Sequence, residues 1–249
     1  ALKSTILSIE LLQEALDHYN EFKHLNFVVP NSLPILFFGD IDSYIKQDFK
    51  IVTAALNPSD SEFSINKKEK YYSTKYRFPD FKESIESIEK SCKKYFENSP
   101  DKKWFDQAYN SILSGLGYTF YRNEIGSIAI HTDICSPLST SPTWSGLSKE
   151  QQDLLFDKGF KLWKNLISEL KPDLILLSVS NKYKEKLNPL KEYELWQTKT
   201  STGNDYTFYA STVIINGHKS NLIFGRAGRN PFLPIDAEKK EKAGKIIKE

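Results

Sequence analysis

Apolar residues along the chain fall into short continuous runs and helically spaced stripes. Residues Ser8 to Phe22 carry Ile9, Leu11, Leu12, Ala15, Leu16 and Tyr19 at helical spacing, which predicts an N-terminal amphipathic helix. Pro30 and Pro34 break the chain before a short apolar run, Ile35 to Phe38. Ile51 to Leu56 reads as a buried strand that stops abruptly at Asn57-Pro58-Ser59. Asp60 to Pro79 mixes Lys, Tyr and Phe without a clear period and reads as a long functional loop. From Phe81 to Leu116 the pattern is helical, interrupted near Asn98-Ser99-Pro100 and closed by Gly115 and Gly117.

The second half repeats the alternation. Ser127 to Ile134 reads as a second core strand, followed by a Ser/Thr/Pro-rich loop from Ser136 to Trp144. Gln151 to Leu170 places Leu154, Leu155, Phe160, Leu162, Trp163, Leu166, Ile167 and Leu170 at helical spacing, and Pro172 closes that helix. Asp173 to Ser178 is apolar almost throughout, as a strand covered on both faces should be. Tyr206 to Ile215 and Asn221 to Phe224 flank Asn216-Gly217, the strongest hairpin signal in the chain. A loop from Gly225 to Phe232 then leads into a charged C-terminal helix. Core strands separated by helices, with no repeat and no linker, predict an open, mainly parallel α/β sheet in a single domain spanning 1–249. Polar loops after Leu56, Ile134 and Phe224 are expected along the carboxyl edge, where open α/β sheets bind ligands.

Composition narrows the function only slightly. The 249 residues are 39% hydrophobic and 27% charged, which excludes a disordered chain, and 13% aromatic, which is compatible with stacking on nucleic-acid bases. A net charge of +2 is too small to demand a polyanion, although Arg226, Arg229 and the lysines of the terminal helix gather positive charge near the C-terminus. Glu238 and Glu241 interleave with those lysines, so a solvated helix explains them better than it explains the two arginines. Cys92 and Cys135 are too few for a four-thiolate cluster and have no zinc spacing. No membrane-length apolar span and no signal-like start are present, so a cytoplasmic protein is expected.

Three strand-end motifs carry a resemblance. Ala55-Leu56-Asn57-Pro58-Ser59, Thr132-Asp133-Ile134-Cys135-Ser136-Pro137 and Phe224-Gly225-Arg226-Ala227-Gly228-Arg229-Asn230-Pro231 stand in the order and at the strand ends of the uracil-DNA glycosylase superfamily. The chain resembles that family from about Ile35 onward. The resemblance implies a three-layer α/β/α fold, no metal or other cofactor, a DNA partner, no membrane, and a monomer. It implies a hydrolase that extrudes a base and cleaves its bond to the sugar, leaving an abasic site.

The residues then receive roles. Asn57 stands where relatives hold the attacking water, and Asp133 stands where uracil-removing relatives commonly have Asn. A carboxylate only accepts hydrogen bonds, so Asp133 favours a base bearing an amino group, such as a cytosine. Attack on ordinary cytosine would destroy the host genome. A foreign modification such as glucosylated hydroxymethylcytosine, which a phage-defence branch of the superfamily removes, is therefore the expected target. Leu56, Pro58, Ser59 and Thr132 are expected to line the base pocket, with Phe63 or Phe78 stacking on the base. Arg226, Arg229 and Asn230 are expected on DNA phosphates, with Phe232 or the arginines filling the gap left in the stack.

Each assignment has a plainer counterpart. Asn57 and Ser59 also suit a turn and a cap, Asp133 a turn around Ser136, and Phe63 and Phe78 the core; Asp60 and Glu62, in the loop after Asn57, are candidates to supply a carboxylate and also suit a solvated loop. The family's loop His is missing, since Gly225 holds its place; His218 is a rival that the hairpin already explains. Uracil or mismatch repair, and a DNA-binding module without chemistry, therefore remain as alternatives.

Overall fold

The structure is a computed structural model that describes residues 5–66 and 68–249. Its fold is α/β, with a mixed central sheet of six strands: β1 (Ile51–Ala55), β2 (Ile130–Asp133), β3 (Leu174–Leu177), β4 (Leu190–Lys199), β5 (Asp205–Ile215) and β6 (His218–Phe224). The principal helices are α1 (Ile9–Phe22), α2 (Ile85–Lys93), α3 (Ser111–Leu116), α4 (Lys149–Leu170) and α5 (Ala237–Lys248). Residue contacts divide the chain into two compact units. One comprises the described part of Ala1–Asp42 together with Leu56–Asp101 and His131–Glu169; the other comprises Ser43–Ala55, Lys102–Ile130 and Leu170–Glu249.

In the first unit, α1 begins where the Ser8 hydroxyl accepts the Leu11 amide at 3.1 Å, and it buries Leu11, Leu12, Ala15, Tyr19 and Phe22. α4 begins with a reciprocal cap: the Gln151 amide donates to Ser148 Oγ, and Gln151 Oε1 accepts from the Ser148 amide. Gly159 lets this helix press on the loop after β2. A Cβ there would lie 2.1 Å from the Cys135 carbonyl oxygen, closer than any side chain allows.

In the second unit, β1 runs parallel to β3, with Ile51 opposite Leu174, and β6 runs parallel to β3 on its other side. All five residues of β1 and all four of β3 are buried, as continuous apolar runs require. At roughly 1.5–3 kcal/mol for each large apolar side chain, that burial dominates the local energetics. Asn216 and Gly217, both at positive φ, turn β5 into β6 as an antiparallel hairpin.

The sheet is mixed, with parallel pairing at β1–β3 and β3–β6. β5 pairs antiparallel with β6, and β4 pairs antiparallel with β5. β4 is a strand that the apolar pattern missed, because its residues are mostly exposed and its few apolar positions, Leu190, Tyr193, Leu195 and Trp196, keep no sustained period. The expected strand from Ser127 to Ile134 is two pieces, since Ser127–Ile128 pairs with Tyr118–Thr119 in a separate small sheet. The described residues of 60–79 are not a structureless loop: a 3₁₀ turn at Asp60–Glu62 leads into an antiparallel pairing of Ser64–Asn66 with Tyr71–Tyr72. Among the described residues no helix is long and apolar enough to cross a membrane.

Candidate functional site at two strand ends

Two residues of the first unit combine burial with unused hydrogen-bonding capacity. The half-buried Asn57 donates its amide nitrogen to the Leu138 carbonyl at 3.1 Å and to Thr140 Oγ1 at 2.9 Å. The Leu138 carbonyl can only accept, so it requires the NH₂ end and fixes the amide orientation. Among the described residues nothing donates to Asn57 Oδ1. The side chain therefore presents a carbonyl acceptor of fixed direction.

Asp133 closes β2 and is 6% exposed. Its Oδ1 accepts from His131 Nε2 at 3.1 Å, and its Oδ2 is buried without a partner among the described residues. Residues two apart share one face of a strand, which is why His131 and Asp133 meet. A buried carboxylate oxygen without a donor costs free energy that a water or ligand group can restore. The Cys135 amide donates to the Leu56 carbonyl at 2.9 Å, so the chain segments carrying Asn57 and Asp133 are tied together.

The loop from Ile134 to Thr140 is buried throughout, although its composition is that of a surface loop. Its polar groups are absorbed locally: Val29 donates to the Ser139 carbonyl, Ile35 to the Pro137 carbonyl, and Ser136 Oγ lies 3.2 Å from His18 Nε2. Burial pulls the His18 pKa down to about 4, which keeps this ring neutral. Ser139 Oγ, like Asp133 Oδ2, is a buried oxygen without a partner among the described residues. Leu138, Thr140 and His18 were not singled out from sequence. Their contacts span 81, 83 and 118 residues, and no local signal reports such pairing.

The remaining candidates divide. Leu56 is half-buried beside the site and Pro58 is buried. Ser59 caps the following 3₁₀ turn, accepting from the Ser61 amide at 3.2 Å. Thr132 faces away from Asp133, and its hydroxyl accepts from Trp163 Nε1 of α4 at 2.9 Å. Phe63 and Phe78 are buried and stack on one another with ring centroids 5.3 Å apart.

Glu62, expected as a solvated acid, is buried. It accepts from Arg77 at 2.7 Å and from the Tyr95 hydroxyl at 2.8 and 3.0 Å. Burial pushes its pKa up to about 7, against the lowering by the Arg77 guanidinium and the Tyr95 hydroxyl. Asp60 accepts from the Tyr72 hydroxyl at 3.3 Å and lines a small cavity with Ser61, Ser64, Lys70 and Tyr72.

The third motif lies in the second unit. The Tyr206 hydroxyl donates to the Arg226 carbonyl at 2.6 Å, and the Arg226 guanidinium donates to the Asp205 carbonyl and lies 5.6 Å from the Tyr206 ring centre. Arg229 is exposed and Asn230 half-buried. Phe232, expected against DNA, is instead 0% exposed, with its ring 5.8 Å from both Tyr109 and Phe208 and its amide donating to Ser178 Oγ. That packing also explains Gly225. A Cβ at this position would lie 2.7 Å from the Tyr206 hydroxyl and 2.8 Å from the Phe232 ring, so a side chain here would have to displace one of them. His218 is committed to the hairpin, with Nε2 2.8 Å from the Pro172 carbonyl.

A cavity of about 540 Å³ in the second unit is lined by apolar residues including Leu116, Leu174, Leu195, Ala210 and Ile246, and by none of the residues singled out from sequence. Among the described residues no group of three His, Cys, Asp or Glu could hold a metal ion. No protein family, no curated protein and no solved structure matches this chain.

Proposed function

We propose that the chain is a monofunctional DNA glycosylase of the uracil-DNA glycosylase type, hydrolysing the bond between a flipped-out modified cytosine and its sugar. One observation carries the reading. Two linked strand ends offer a fixed amide acceptor at Asn57 and an unpartnered buried carboxylate oxygen at Asp133. Such a reaction needs a water held at the sugar and a group that recognises the base, while positive charge develops on the sugar. Asn57 Oδ1 accepts a hydrogen bond from the water and aims its lone pair, without acting as a strong base. Asp133 Oδ2 accepts from an exocyclic amine, and His131 holds the other oxygen so that a single acceptor faces the base.

Glucosylated hydroxymethylcytosine of phage DNA is the target this reading favours. The test is alkali-labile site formation on phage DNA with and without the glucosyl group. Cleavage of the glucosylated DNA alone, abolished by Asn57→Ala, supports the reading; equal cleavage of both DNAs overturns the modified-base specificity. Gly225 favours a second reading, a module that binds the same DNA without cutting it, because a histidine side chain there would have to displace Tyr206 or Phe232. Binding without alkali-labile sites at saturating protein distinguishes that module from an enzyme.

A further inference from the structure

We propose that the described residues between Ser64 and Tyr76 form an arm that grips duplex DNA, with Lys68, Lys70 and Lys75 on phosphates and Tyr71 and Tyr76 against sugar or base. This inference rests on the glycosylase reading for its choice of partner. The surface itself rests on three observations.

First, the arm leaves the first unit through a stiff base. Phe63 and Phe78 stack at its two ends, Arg77 pairs with buried Glu62, and the Ser73 amide donates to the Phe63 carbonyl at 2.8 Å. Asn31 Nδ2 donates to the Tyr72 carbonyl at 3.4 Å. A docking element anchored this way loses little conformational entropy on binding.

Second, the arm exposes what a monomeric surface normally covers. Ile65, Tyr71 and Tyr76 are 54%, 59% and 61% exposed. They alternate with exposed Lys68, Lys70 and Lys75, and aromatic residues interleaved with basic ones form the platform that nucleic acids use.

Third, the three lysines have no ion-pair partner among the described residues, whereas other lysines of the same unit do: Lys90 and Lys94 pair with Asp80, Lys93 with Asp42 and Lys158 with Glu21. Lysines without an ion pair beside exposed rings, with Glu69 between two of them, match a polyanion with flat faces. The arm also follows Asn57-Pro58-Ser59 through only one 3₁₀ turn, so DNA held there is held beside the strand-end site. With the Phe232 ring buried in the second unit, the arm supplies the aromatic contact that the loop after β6 does not.

The test is fluorescence anisotropy of a labelled duplex across a salt series, with the wild-type chain, a Lys68→Ala/Lys70→Ala/Lys75→Ala variant and a Tyr71→Ala/Tyr76→Ala variant. All five positions are exposed, so thermal melting should match wild type and confirm that both variants fold. The lysine variant is expected to bind at least about tenfold more weakly and to lower the slope of log affinity against log salt by about 2 to 3. The tyrosine variant is expected to bind about tenfold more weakly with an unchanged salt slope. Wild-type affinity and slope in both variants, or a wild-type chain that binds no DNA, overturn the proposal. Failure of the glycosylase reading is read separately, as absence of alkali-labile sites at saturating wild-type protein.

Discussion

The loop after β1 and the loop after β6 both look, as sequence, like polar strand ends made to meet a ligand, yet they use their polar groups in opposite ways. After β1, Asn57 is tethered through its nitrogen and keeps its carbonyl oxygen unused; after β2, Asp133 keeps one oxygen unused. After β6, Arg226 and the Phe232 amide are consumed, and the side chains left over among the described residues, Arg229 and Asn230, are exposed or half-buried rather than held in place. The Arg226 carbonyl takes the Tyr206 hydroxyl, the Phe232 amide takes Ser178 Oγ, and the Phe232 ring fills the space that any side chain at Gly225 would need. Capacity left over after folding, rather than polarity, separates a candidate site from a well-made turn.

The strongest way to break that comparison is Phe232→Ala. If this ring is packing, its removal leaves a cavity between Tyr109 and Phe208 and costs roughly 3–5 kcal/mol of stability, measured by urea unfolding. Duplex affinity of the folded protein should stay at the wild-type value. A variant that keeps its stability but loses DNA affinity would return the loop after β6 to the DNA surface.

Asp133→Asn is the next largest. Asparagine still accepts from His131 but places an NH₂ or a weaker acceptor where the unpartnered oxygen stands. Release of modified cytosine relative to uracil should fall by roughly a hundredfold, a change of about 2.7 kcal/mol in transition-state discrimination. An unchanged preference removes Asp133 from base recognition and leaves it as a turn residue.

Much of this contrast is visible in local sequence, and the decisive part is not. β1 and β3 are legible because full burial demands an unbroken apolar run, and Asn216-Gly217 because its turn needs two positive φ angles. β4 is not, because an exposed antiparallel strand carrying Lys191, Glu192 and Glu194 has no sustained apolar alternation to read. Asn57 is legible as a strand-end residue. Its fixed orientation is not, since Leu138 and Thr140 lie more than 80 positions away. The same holds for Glu62, whose burial depends on Tyr95, 33 residues on, and for Gly225, whose missing side chain becomes intelligible only with Phe232 and Tyr206 packed against it.

Glu62→Gln sharpens the comparison within the first unit and carries the smallest effect on base release, where none is expected. Glu62 lies in the segment that follows Asn57, but both its oxygens are taken by Arg77 and Tyr95, so it should contribute to folding and not to base release. Its folded pKa of about 7 exceeds the ordinary 4.5, because burial outweighs the favourable partners. For a carboxyl group raised in this direction, the folded state binds more protons than the unfolded state between those two values. The group's contribution to stability is then fully present below pH 4.5 and is lost as pH rises toward 7. Glutamine does not titrate. The stability of wild type minus that of the variant, from urea unfolding at a series of pH values, should therefore decline across this window and level off above it. Base release per folded molecule should be equal in the two proteins at every pH. A flat stability difference removes Glu62 as the titrating group, and a drop in base release with unchanged stability places its carboxylate at the reaction instead.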